Sequence, residues 1–276
     1  MSQRVNLEAP TPYELRTGQG IHVSEQEVQA ALVSGDLGFF HSFTTGSTLD
    51  GPGVRIVAWL TGCQFKCLYC HNPDTWKMTN GIPVPLARAV SELRKYRHGL
   101  NAMRGGLTIS GGEPLMQHKF VCRLFEAAKQ LGIHTALDTN GALGHRLTDE
   151  QLRLADLVLL DIKSWTPERH QRLVSAPVEP VLDFARRLAA ASRPMWLRYV
   201  FVPGHSDDYD DIARIAEFAR SLGSVQRVDV LPFHQMGGFK WKELGMAYAL
   251  ANVEPPHPSA TERACQIFRA AGLKAL

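Results

Sequence analysis

Three of the chain's five cysteines, Cys63, Cys67 and Cys70, fall within the stretch GCQFKCLYCHNPDTW, residues 62–76. Thiolates at C-x3-C-x2-C spacing suit a metal or a metal cluster, yet a closed tetrahedral site takes four ligands and disulfides consume cysteines in pairs. A [4Fe–4S] cubane held by three thiolates keeps its fourth iron open, and an open iron can bind a small molecule and pass it one electron. Other readings stand beside this one. CLYCH, residues 67–71, matches the C-x-x-C-H pattern of covalent haem attachment, which usually accompanies export. Cys63, Cys67, Cys70 and His71 have the ligand types of zinc, although a His directly beside Cys70 cannot easily turn to the same ion, and structural zinc usually pairs ligands from two knuckles. A redox dithiol of Cys67 and Cys70 leaves Cys63 without a role. The remaining cysteines, Cys122 and Cys265, sit within helical patterns and read as core residues.

Further polar residues occur where apolar runs end. SGGEP (110–114) carries two glycines, which allow backbone to approach a ligand closely or simply make a turn. Asp138 in DTNG and Asp161 in DIK follow successive runs; two acids converging away from water repel unless a cation neutralises them. Lys163 reads either as a solvated lysine or as a partner for a ligand carboxylate. His234 after LPF reads either as a core histidine or as part of a site. Asp50 in TLDGPG has the character of a turn former, and Arg198, inside an apolar run, needs a buried partner.

The elements that must position these residues repeat regularly. Apolar runs at 54–60, 106–110, 134–139, 157–163, 196–203 and 227–233 alternate with helical patterns such as LARAVSELRKY, FVCRLFEAAKQLG and DIARIAEFARSLG. Six strand–helix units predict an α/β fold with a parallel sheet, two units short of a closed (β/α)8 barrel. The unusual polar residues gather at the carboxyl ends of every strand in turn. A barrel focuses those ends on one mouth, whereas an open sheet spreads them along a line, so the pattern favours a partial, incompletely closed (β/α)6 barrel. With 276 residues, 45% hydrophobic, 21% charged and a net charge of +3, the chain has the composition of a globular protein with no bias toward nucleic acid or membrane. No apolar run reaches bilayer length and the first residues show no signal-peptide core, which predicts a cytoplasmic setting with reduced thiols.

C-x3-C-x2-C with Tyr69 before the last cysteine, on a loop after the first of these strands, resembles the radical S-adenosylmethionine enzymes. Within them the chain is similar to the pyruvate formate-lyase activating enzymes over roughly residues 38–274. HSF (41–43), DGPG (50–53), CLYCHN (67–72), YRH (96–98), SGGEP, GIHTALDTNG (132–141), LVLLDIK (157–163), RYVFVPG (198–204), SDD (206–208) and LPFH (231–234) occur in that family's order. The resemblance implies a single radical S-adenosylmethionine core domain over 38–276. It implies a [4Fe–4S] cluster on Cys63, Cys67 and Cys70 whose open iron chelates S-adenosylmethionine. An electron from the cluster then cleaves that molecule to methionine and a 5′-deoxyadenosyl radical, which takes the Cα hydrogen of a glycine in pyruvate formate-lyase. Gly111 and Gly112 are expected against the amino group of S-adenosylmethionine and Lys163 against its carboxylate, with Tyr69, Cys70, His71, Asp161, Ile162 and His234 also around it. A monovalent cation is expected on Asp138, Thr139, Asp161 and the carbonyl of Leu159. Asp50, His71, Asp138 and Arg198 are expected to hold the substrate peptide, and a reduced flavodoxin or ferredoxin to donate the electron.

Some features depart from the family or fall outside it. VPGHSDD carries His205 where a bulky aromatic is common, whereas the lack of the cysteine-rich ferredoxin module that activating enzymes of other glycyl-radical enzymes often insert after the first strand agrees with the family. Residues 1–37 form an N-terminal extension without an assigned role, in which SEQEVQAALVSGDLG predicts a short helix. Two other functions bear on the same residues. A radical enzyme modifying a small molecule or nucleotide is disfavoured by Asp50, by YRH and by the lack of an extra substrate domain. An iron–sulfur electron carrier would need a fourth protein ligand that no well-placed cysteine supplies, and a zinc-dependent binding module is the third option.

Overall fold

A computed structural model describes residues 24–276; residues 1–23, most of the expected extension, lie outside the described residues. The first helix, α1 (Glu25–Ser34), starts at a capping box in which Ser24 and Glu27 pair reciprocally, and ends at Gly35 in the left-handed conformation. The short helix expected for this stretch is therefore present. Its Val28 and Ala31 pack on Phe39, which seats it on the core.

Eight strands form one sheet in the order β3-β1-β2-β4-β5-β6-β7-β8. Six of them, β2 (Arg55–Leu60), β4 (Gly106–Gly111), β5 (His134–Thr139), β6 (Leu157–Asp161), β7 (Met195–Phe201) and β8 (Val225–Pro232), run parallel. They coincide with the six runs read from the sequence. Between them come α2 (Leu86–Ala102), α3 (His118–Gln130), the single turn α4 (Asp149–Leu152), α5 (Pro167–Val174), α6 (Glu179–Ala190) and α7 (Tyr209–Leu222). After β8 the chain adds α8 (Gly238–Glu243) and α9 (Pro258–Ala270). With β3 at one edge and β8 at the other the sheet is not closed, in keeping with the incompletely closed fold expected.

Two strands were not expected. β1 (Leu37–Ser47) and β3 (Ile82–Pro85) add antiparallel to the β2 edge. β1 is buried only in its first half and exposed toward Ser47, so its apolar alternation fades; β3 is four residues long with two prolines, which places it at an edge. At the other edge, Val228 of β8 bridges Ala275 of the C-terminal segment.

Strand parity sorts the interior. In β7, Met195, Leu197, Tyr199 and Phe201 are buried in the core shared with the helices, while Trp196, Arg198 and Val200 alternate to the other face. The register pairs Asp138 with Leu159 and Asp161 with Arg198. These side chains, with Ala136, Leu157 and Trp196, therefore share the inner face. Below the mouth that face is apolar, and at the carboxyl ends it becomes charged.

The loop after β6 is held from α7. Asp211, almost fully buried, accepts hydrogen bonds from Ser164 Oγ (2.9 Å), Trp165 N–H (3.0 Å) and Thr166 N–H (2.9 Å), and Arg169 Nη1 lies 3.0 Å from its carboxylate. This fixes the backbone immediately after Lys163. Asp211→Ala leaves several buried donors unpaired, and a loss of about 3 kcal/mol is expected from that cost. Chemical denaturation checks it; unchanged stability would show that the loop holds its shape without this brace.

Candidate active site

After β2 the chain leaves the sheet and runs through the three cysteines to a 3₁₀ turn at Pro73–Thr75. This loop has no ladder of its own, so its amides need partners elsewhere. Gly62 N–H donates to Thr75 O (2.6 Å) and Cys63 N–H to Trp76 O (3.2 Å), which closes the base. Lys66 and Leu68 N–H donate to the carbonyls of Val174 and Leu173 at the end of α5, both at 2.9 Å. Trp241 Nε1–H of α8 donates to Cys70 O at 2.9 Å. All five cysteines are free thiols; Cys63, Cys67 and Cys70 are partly buried, and Cys122 and Cys265 lie inside α3 and α9.

Burial pushes all three loop thiols up, Cys67 to about 12. A bound cationic group would pull them down again. Among the described residues no three His, Cys, Asp or Glu side chains converge closely enough to enclose a single ion. A cubane takes one thiolate per iron, so three thiols on one loop supply three of its four irons. The donor set thus fits a [4Fe–4S] cluster with one iron lacking a protein ligand.

The SGGEP turn packs directly against the base of this loop. A Cβ at Gly111, whose φ is +126°, would lie 2.1 Å from Leu60 O; one at Gly112 would lie 2.4 Å from Gly62 O. Gly112 N–H donates to Leu60 O (2.8 Å) and Glu113 N–H to Gly62 O (2.7 Å). Glu113 itself is fully buried. It accepts from Leu115 N–H (2.9 Å), Thr139 Oγ1 (2.7 Å) and Asn140 N–H (2.8 Å), tying the glycine turn to the end of β5. Burial pushes its carboxyl up to about 7 against the pull of those three donors. Sequence reading missed Glu113, because an acid between Gly and Pro reads as an exposed turn residue until tertiary contacts enclose it.

The two acids expected to repel each have a cation of their own. Arg198 Nη1 lies 3.1 Å from Asp138 Oδ2, and its Nη2 reaches Asp50 Oδ1 (3.2 Å) and Leu49 O (2.9 Å). Lys163 Nζ lies 2.8 Å from Asp161 Oδ2 and 5.5 Å from the Tyr69 ring centroid. Ser110 Oγ adds a 2.6 Å bond to Asp138. Burial nonetheless pushes the Asp138 carboxyl up, with Arg198 pulling the other way. Across the mouth, the His71 and His234 rings stack with centroids 4.1 Å apart, and burial with the neighbouring His234 lowers the His71 pKa.

A cavity of about 400 Å³ opens among these groups. It is lined by Cys63, Cys67, Tyr69, Cys70, His71, Gly111, Gly112, Asp138, Thr139, Asp161, Lys163, Arg198 and His234, together with Asn72, Ser110 and Asn140, which were not candidates. The Tyr69 hydroxyl and Arg198 Nε are buried there without hydrogen-bond partners, which suits a polar ligand. Ile162 and Leu159 are fully buried and do not line the cavity; Asp50 stands behind Arg198.

Comparison with known proteins agrees with this geometry. The model of the radical SAM superfamily matches residues 57–219. The chain is 43% identical over 242 residues to pyruvate formate-lyase 1-activating enzyme of Escherichia coli (strain K12), covering 87% of this chain and 98% of that one. It is 43% identical over 234 residues to pyruvate formate-lyase-activating enzyme of Staphylococcus aureus (strain USA300), covering 82% and 93%. A crystal structure of a domain of pyruvate-formate lyase-activating enzyme from Bacteroides vulgatus superposes with a TM-score of 0.53 at 30% identity, covering 62% of this chain and 98% of that one.

Close packing at the glycine turn generates a test. Gly112→Ala forces a Cβ onto Gly62 O and the Cys63 side chain, so iron and sulfide bound after anaerobic reconstitution should fall well below the unmutated level. Cys122→Ala and Cys265→Ala remove only small core side chains and should retain full iron content. Iron analysis with the absorbance of the cluster checks both; loss of the cluster in either helical variant would add a ligand to the site.

Proposed function

The chain belongs to the radical SAM superfamily and, within it, to the family of the pyruvate formate-lyase activating enzymes, and from that membership we propose that it installs the glycyl radical of a pyruvate formate-lyase. The observation that carries this reading is the convergence of three loop thiols, a buried lysine and an arginine held between two acids on one cavity of about 400 Å³. Thiols and a paired arginine lining one cavity suit a site that receives a cofactor and a peptide together.

In this proposal Cys63, Cys67 and Cys70 hold a [4Fe–4S] cluster. A cluster held there would supply one electron for cleavage of S-adenosylmethionine to methionine and a 5′-deoxyadenosyl radical, which would leave as 5′-deoxyadenosine on taking the glycine Cα hydrogen. The protein's own groups bind and orient. Gly111 and Gly112 present bare backbone to the amino group of S-adenosylmethionine, and Lys163, held at 2.8 Å by Asp161, offers an ammonium to its carboxylate. Tyr69, His71 and His234 surround the remainder, with the stacked histidines forming one wall and the fully buried Ile162 standing behind the cavity lining. Oxygens of Asp138, Thr139, Asp161 and the Leu159 carbonyl are assigned to a monovalent cation, which suits hard oxygen donors. Asp50, His71, Asp138 and Arg198 are assigned to the substrate peptide. Residues 38–276 serve as the catalytic unit and 1–37 as an extension of it. No acid–base residue is required, because the hydrogen leaves as an atom.

No helix among the described residues is long and apolar enough to cross a membrane. With five free thiols, a cytoplasmic setting and a reduced flavodoxin or ferredoxin as electron donor complete the proposal.

Two variants separate binding from chemistry. Lys163→Ala should weaken S-adenosylmethionine binding by about 1.5–3 kcal/mol, the range for a hydrogen bond to a charged group, without loss of the cluster. Unchanged affinity in a titration would remove Lys163 from the carboxylate.

Arg198→Lys and Asp50→Ala test the peptide. Lysine keeps the charge beside Asp138 but loses the two-pronged fork. Both variants should keep the cluster and cleave S-adenosylmethionine slowly alone, yet give little glycyl-radical signal by electron paramagnetic resonance when mixed with pyruvate formate-lyase. Normal activation by both would take the peptide away from these residues. Failure of the unmutated, cluster-loaded protein to activate any pyruvate formate-lyase would overturn the proposed function.

A further inference from the structure

Asn140 follows Asp138 and Thr139 at the end of β5, lines the cavity and is almost fully buried. Its backbone N–H is anchored on Glu113 Oε2 at 2.8 Å. The orientation of its side-chain amide is settled by chemistry. Ala142 N–H, which can only donate, points at one amide atom from 3.1 Å, so that atom must be the oxygen. Gln64, the residue after Cys63, then presents its own NH₂ to the same oxygen at 3.0 Å. With the oxygen facing these two donors, the Asn140 NH₂ is directed at Cys63 Sγ, 3.9 Å away.

We infer that Asn140 is a positioning residue that donates an N–H···S hydrogen bond to the Cys63 thiolate and thereby raises the reduction potential of the cluster. This rests on the proposed role of Cys63 as a cluster ligand. A donor aimed at a ligating sulfur withdraws electron density from it and favours the reduced, more negative cluster. The environment gives such a donor a purpose. Burial disfavours added negative charge, and a buried acid, Glu113, stands beside the site with the Asn140 backbone N–H on its Oε2 at 2.8 Å. An uncharged amide, held by a backbone N–H on one side and by Gln64 on the other, eases reduction without introducing a titrating group.

The midpoint potential of the reconstituted cluster, measured by spectroscopically monitored redox titration, tests this independently of activity. Asn140→Asp keeps an oxygen for Ala142 N–H and Gln64 but turns a second oxygen toward the sulfur. Asn140→Ser keeps a shorter acceptor for the turn, and its hydroxyl falls short of a sulfur already 3.9 Å from the amide. The midpoint should fall in both, and further in the aspartate variant, with cluster content near normal. An unmutated midpoint in Asn140→Ser with its cluster intact overturns the inference. Loss of the cluster from both variants in a folded protein also overturns it, because Asn140 would then hold the loop rather than tune the cluster. If the unmutated protein takes up no [4Fe–4S] cluster on reconstitution, the cluster reading itself fails and this inference with it.

Discussion

A loop that carries three partly buried thiols cannot hold its own shape, because its amides have no ladder and its sulfurs no fixed partners. In this protein the neighbours supply both. The base is closed by residues 75 and 76, the glycine turn leans on it from β4, the end of α5 takes two of its amides and Trp241 takes the carbonyl of Cys70. Four separate parts of the chain must therefore be in place before the sulfurs are correctly spaced. The loop is a product of the whole sheet.

The same dependence shapes the charged mouth. Asp138, Asp161 and Arg198 share the inner face because side chains alternate along a strand and the parallel register sets Asp161 beside Arg198. A slip of one residue in β7 would exchange Arg198 for Leu197 or Tyr199, which belong to the helix-facing core. Burying these charges is tolerable because each acid has a cation: Arg198 spans Asp138 and Asp50, and Lys163 stands on Asp161. Arg198 also ties the loop before β2 to the sheet interior through Leu49 O, so the loop that carries Asp50 is joined to the site by the residue that neutralises it.

Outside the mouth, another buried cation organises the opposite ends of the strands. Arg55, fully buried at the start of β2, donates to Thr108 Oγ1 (3.0 Å) and Leu107 O (2.7 Å). Thr108 Oγ1 in turn donates to Asp50 O at 2.6 Å. The 48–54 loop is thus gripped through its backbone as well as through the Asp50 side chain. Burial lowers the Arg55 pKa to about 10, which still leaves it charged at neutral pH.

What the sequence determined by itself follows from local rules. The six parallel strands were legible from β-branched apolar runs, the helices from their spacing and end signals, and the three thiols that line the cavity from the count and spacing of Cys63, Cys67 and Cys70. The gathering of polar residues at strand ends pointed to one mouth because period and chain direction are local properties. Only the tertiary structure decided the rest. β1 and β3 escaped notice because edge strands have weak alternation and, in β3, two prolines. Glu113, Asn140 and Trp241 showed no sequence signal, since what matters in each is burial and the direction of one hydrogen bond to a residue far along the chain. The expected repulsion between Asp138 and Asp161 was likewise resolved only by register, which places Arg198 and Lys163 against them. Partner choice among distant charges is a property of folded geometry, because nothing in a local period specifies which strand will lie beside which.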